Sequence, residues 1–121
     1  MLYAVFCYHH EAEVMAWPKE KDDAILAKRA VVQNRYAAAG KLGPVARLMP
    51  TTAATTMRHG KEPLVLDGPF AETKEQLLGF YVVEGASLDD ALAFARELGE
   101  GETVTFEIRP LRYFTPGTRQ A

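Results

Sequence analysis

Twice along this chain the spacing of apolar residues switches from strand period to helix period and back. Residues 1–8, "MLYAVFCY", form a continuous apolar and aromatic run rich in strand formers, the pattern of a strand covered on both faces. After the polar "HHEAEV" and Trp17-Pro18, residues 19–39 hold helix formers throughout, and Ile25, Val32, Tyr36 and Ala39 return at helical spacing. Gly40 then stops the helix, as glycine can where a positive φ is needed. Residues 77–84 put Leu78, Phe80 and Val82 on one face of a strand and Gly79, Tyr81 and Val83 on the other. Ser87 with Asp90 three positions on resembles a capping box, and Leu88, Ala91, Leu92, Ala95 and Leu98 predict the buried stripe of a second helix closed by Gly99. In the last strand, 103–109, Val104, Phe106 and Ile108 face one way and Thr103, Thr105, Glu107 and Arg109 the other.

Residues 42–66 break into short β-prone pieces punctuated by proline and His59-Gly60, and "TTMR" and "PLVL" flank "HGKE" as a hairpin. The resulting order predicts an α+β sandwich, with two helices on one face of an antiparallel sheet. Two helices cover one face only. The other is expected to carry Tyr3 or Phe6, Tyr81 and Val83 beside Thr105, Glu107 and Arg109, an apolar patch through which the chain is expected to form a homodimer. Residues 1–113 read as a single domain and 114–121 as a C-terminal tail.

At 121 residues, 48% apolar and 25% charged, the chain can bury a core without a metal or disulfide framework. Its net charge of -2 comes from interspersed acids and bases, which disfavours nucleic acid and anionic membranes as partners. The single cysteine, Cys7, lies in an apolar run; a buried thiol and a reducing, cytoplasmic compartment follow as expectations. No window approaches the roughly 20 apolar residues of a bilayer span.

Chemistry-bearing residues are few. Asp67-Gly68-Pro69-Phe70 reads first as a structural corner: the Asp side chain caps a turn, Gly supplies an unusual φ, Pro rigidifies the exit and Phe70 plugs the loop from below. "HHE" ends the first strand, with Cys7 and His9 expected on one side, too few convergent ligands for a metal. His9 is instead a candidate general base, since imidazole titrates near neutral pH. Arg47, Arg58 and Arg109 could hold a carboxylate, although salt bridges from these arginines to Glu107 or Glu62 are the simpler expectation. His59 reads as an exposed turn. There is no GxGxxG, Walker loop, GxSxG, CxxC or HExxH, and no cofactor is expected.

The ordered set "YHHE", "AAAGKL", "RLMP" with "ATTMR", "DGPFAETKEQLLGFY" and "EIRP" spans nearly the whole chain and resembles the YCII-related proteins, in the branch named for its DGPF motif. That resemblance implies a ferredoxin-like fold paired into a dimeric α/β barrel. Some relatives in the wider group are thought to use a histidine on the first helix with an aspartate near the end of the second. This chain has Lys28 and Arg29 near the first position and no Asp-Pro pair after the second helix. The resemblance therefore implies, at most, small-molecule binding in a dimer-interface cleft with isomerase- or lyase-like proton transfer on a small organic acid or phenol. In that version His9 and Asp67 are catalytic, and Tyr81, Arg109, Lys74 and Phe70 contact the substrate. The alternative it implies is a non-catalytic accessory or regulatory module linked to extracytoplasmic-function sigma factors.

Overall fold

A computed structural model describes residues 1–119; the last two positions of the expected tail lie outside the described residues. Strand β1 (Leu2–His9) leads through a one-and-a-half-turn helix α1 (Glu11–Met15) into the long helix α2 (Lys19–Ala38), then β2 (Leu42–Arg47). A 3₁₀ turn (Thr51–Ala53) precedes β3 (Thr55–Arg58) and β4 (Leu64–Asp67), and β5 (Gln76–Glu84), α3 (Leu88–Leu98) and β6 (Thr105–Pro110) complete the chain. The four long strands form one sheet in the order β2-β5-β1-β6, with neighbours antiparallel throughout. This is the ferredoxin-like α+β arrangement: each long helix carries the chain across one intervening strand. β3 and β4 pair separately as a two-stranded ribbon.

Within the polar "HHEAEV" segment His9 closes β1 and Glu11 opens α1, and hydrogen bonds fix that short helix. Glu11 reaches across to the 3₁₀ turn, where its carboxylate accepts from the Thr51 N–H and hydroxyl, and Gln76 Oε1 accepts from the Glu11 N–H at 3.0 Å. Helix α2 ends where Gly40 adopts a φ of 70°. The expected capping box before α3 does not form. Ser87 makes no side-chain cap; Asp90 reaches back to the Ala86 N–H at 2.7 Å instead. The buried stripe of α3 is Ala91, Phe94, Ala95 and Leu98, rotated from the expected one, so that Leu88 is half exposed. Phe94 is the larger anchor, and its ring meets Tyr36 and Tyr81 edge-on at 4.8 and 5.7 Å, a favoured aromatic geometry.

The core lies between the helices and the sheet face carrying Tyr3, Val5, Tyr81 and Val83, with Phe106 and Ile108 of β6 and Leu42 of β2 packed against it. Tyr81 and Val83 thus belong to the covered face, which corrects their expected place beside Thr105, Glu107 and Arg109. Register decides the matter. Phe6 pairs with Phe80 and Glu107, and Ala4 with Val82 and Arg109, so Phe6, Phe80 and Val82 share the open face with the polar residues of β6. That face has no helix over it.

Candidate functional site

Opposite residues on neighbouring strands share a face, so a cavity opens under a helix where two small residues meet. Here Cys7 of β1 is registered against Gly79 of β5, while the flanking positions are filled by Val5 and Tyr81. A side chain at Gly79 is barred because its Cβ would come within 2.5 Å of the Ala46 carbonyl oxygen. Helix α2 packs tightly only further along, at Val32. Below its N-terminal half lies a cavity of about 140 Å³, close to the size that admits a benzene ring, about 150 Å³.

Its apolar walls come from Trp17, Ile25, Leu26, Val45 and Leu78. Its polar end is built around Arg29, one helical turn from Ile25. Arg29 Nη2 donates to Glu102 Oε1 at 2.5 Å and Nε to Oε2 at 3.0 Å. The remaining nitrogen, Nη1, donates to the Tyr81 hydroxyl at 3.2 Å and lies 3.7 Å from Cys7 Sγ. Lys28 Nζ also reaches Glu102, at 2.6 Å. The two partners are nearly dry, with side-chain exposures of 12% for Arg29 and 6% for Glu102.

These contacts set the titration behaviour. Burial pushes the Glu102 carboxyl up, but hydrogen bonds from Arg29 and Lys28 outweigh it and hold the group below the usual carboxylate range. Burial also opposes the Arg29 charge, and Glu102 more than offsets it, so Arg29 stays protonated. Desolvation raises Cys7 and Tyr81 despite the nearby guanidinium. Both are therefore neutral at physiological pH: Cys7 is not an activated thiolate, and Tyr81 keeps its proton.

His9 lines the same cavity and is 4% exposed, on the same side as Cys7 as expected. Both ring nitrogens are engaged. The His10 backbone N–H donates to Nδ1 at 2.8 Å; an amide can only donate, so Nδ1 holds the lone pair and Nε2–H donates to Thr103 Oγ1 at 2.9 Å. Trp17 closes over the ring edge-on at 5.6 Å.

The other expected site residues lie elsewhere. Asp67 ends β4 on the separate ribbon and is exposed; among the described residues its carboxylate accepts no hydrogen bond. The corner is instead tied down through the backbone, with Gly68 at φ 99°, its N–H donating to the Ala54 carbonyl at 2.7 Å and its own carbonyl accepting from Thr56 at 2.8 Å. Phe70 is 77% exposed, which corrects its reading as a plug. Lys74 contributes its carbonyl to His10 Nδ1–H, and its side chain is exposed. Arg109 is on the open face, opposite Ala4. Of the three arginines, only Arg47 reaches the cavity, where Asp22 pairs with it at 3.0 and 3.1 Å, and neither Arg109 with Glu107 nor Arg58 with Glu62 forms an ion pair among the described residues. Sequence reasoning missed Arg29, Glu102 and Trp17 as site residues. The available signal was a basic pair on a helix face that carries Ile25 and Val32.

Compared with known proteins, the sequence matches the YCII-related domain over residues 1–115. The chain belongs to the YCII-related domain family. This YCII-related protein is also 57% identical over 120 residues to an uncharacterized protein of Rhizobium meliloti (strain 1021), covering 97% of each chain. No group of three or more metal-ligating side chains occurs among the described residues of this YCII-related protein. None of its described helices is long and apolar enough to cross a membrane.

Proposed function

We propose that this YCII-related protein binds a small organic molecule in the cleft between α2 and the sheet, within a single chain rather than across an interface. The observation that carries this reading is the convergence of one apolar cavity of about 140 Å³ on Arg29, Tyr81 and Cys7, the form of a ligand pocket with few placed polar groups. Proton transfer by His9 would require its ring to leave both of its present partners, so binding without a catalysed step is favoured, and an accessory or regulatory role fits such a module.

The only tryptophan, Trp17, lines the cavity and serves as the probe. Small phenols, aromatic ketones and aromatic acids are titrated while Trp17 emission and the melting temperature are followed. A binder at a hundredfold its dissociation constant raises stability by about 2.7 kcal/mol. Cys7→Leu, which fills the cavity, should abolish the response without unfolding the chain; a response that survives it places the ligand elsewhere. Disappearance of bound ligand over hours, followed by NMR, would replace the binding module with an enzyme.

A second copy of the chain is also proposed to cover the open face, because Phe6 and Phe80 lie side by side there and are only half buried. Such a patch on a soluble protein is normally an interface.

A further inference from the structure

The geometry points to a neutral carbonyl compound of about one aromatic ring, such as an aryl ketone, as the class of ligand taken by the α2 cavity. This rests on the binding reading above and concerns what the polar end selects. Charge is the first criterion. Each guanidinium in the cavity wall already faces a carboxylate, Arg29 with Glu102 and Arg47 with Asp22. Lys28, the cation in excess, is not a wall residue; it is partly exposed and held by the Glu100 carbonyl and Glu102. An entering anion meets two acidic partners along with two basic ones, so it gains little attraction for the loss of its hydration. A neutral ligand avoids that desolvation.

Hydrogen-bonding capacity is the second criterion. Tyr81 is 6% exposed, and among the described residues its hydroxyl has one side-chain hydrogen bond, which it accepts from Arg29 Nη1. Its own O–H hydrogen is uncommitted, and the donor behind it polarises the hydroxyl toward giving that hydrogen away. A ligand therefore meets a donor at the polar end. A carbonyl oxygen suits this because it only accepts, whereas a hydrocarbon leaves the hydroxyl hydrogen without a partner in a dry site. Cavity size is the third criterion: about 140 Å³ accommodates one ring and little more.

Acetophenone, benzoate and ethylbenzene are matched in ring size and differ in charge and acceptor. Equilibrium titration of the intact protein with each should show acetophenone binding about tenfold more tightly than either of the others, the factor carried by one net hydrogen bond. Tyr81→Phe should abolish the difference between acetophenone and ethylbenzene, weakening the ketone and sparing the hydrocarbon the stranded hydroxyl; the free variant loses the bond from Arg29 Nη1 and should melt lower, and a single cooperative transition shows that it still folds. Benzoate as the tightest ligand, or an acetophenone preference that persists in Tyr81→Phe, overturns the carbonyl assignment while leaving the cavity a binding site. Failure of all three compounds to bind overturns both the assignment and the binding reading beneath it.

Discussion

Glu102 sits between two cations with little water around it, so its charge should control the acid stability of the molecule. Unfolded, a glutamate titrates at about 4.3; folded, Glu102 titrates lower because the Arg29 and Lys28 hydrogen bonds outweigh its burial. Its contribution is thus fully present above about pH 4.3 and is lost as pH falls through the lower folded value. Glu102→Gln leaves Arg29 buried without its counter-charge and is expected to cost about 3 kcal/mol at pH 7, with a smaller difference from wild type at pH 3. Urea melts at the two pH values measure this, and an equal loss at both would show that shape rather than charge is responsible. Gly79 makes a steric prediction. Gly79→Ala drives a Cβ toward the Ala46 oxygen, and forcing β2 away from β5 should destabilise by about 1–3 kcal/mol, again read from urea melts.

Among the elements, the β3–β4 ribbon differs from the rest. Every residue of β4 is exposed, as are three of the four in β3, and a lone two-stranded ribbon is marginally stable in water. Local opening should therefore begin there. Limited trypsinolysis is expected to cut first at Arg58 or Lys61, in and beside the turn, before any site in α2 or α3; an initial cut in either helix would contradict this. Helix α3 is the opposite case, since Leu98 and Phe94 are fully buried. Leu98→Ala should cost about 2–5 kcal/mol, measurable as a lowered urea midpoint with unchanged slope.

At the scale of the whole molecule, the sheet has one face packed by α2 and α3 and one that neither helix covers, and the α2 cavity is on the packed side. Binding and self-association are consequently separable. If a second copy covers the face that neither helix packs, Phe6→Asp should turn a species of twice 13.4 kDa into a monomer in sedimentation equilibrium while leaving Trp17 emission and ligand titrations intact. A wild-type chain that sediments as a monomer at millimolar concentration would remove the proposed interface without touching the α2 cavity.

Element order was legible without coordinates because periodicity is local: apolar residues spaced for a strand or a helix reveal which surface each must bury. The hairpin around His59-Gly60, the Gly40 stop and the outward Thr105, Glu107 and Arg109 were all readable from a few neighbouring residues. Facing and registration were not, since they depend on partners far away in the chain. Tyr81 could not be assigned to the covered face until β5 was set against β1, and the cavity exists only because Cys7 meets Gly79 across that pair. Arg29 and Glu102 stand 73 positions apart. Nothing local joins them, and only the packing of α2 against the loop before β6 turns two surface-type residues into one dry ion pair at the head of a pocket.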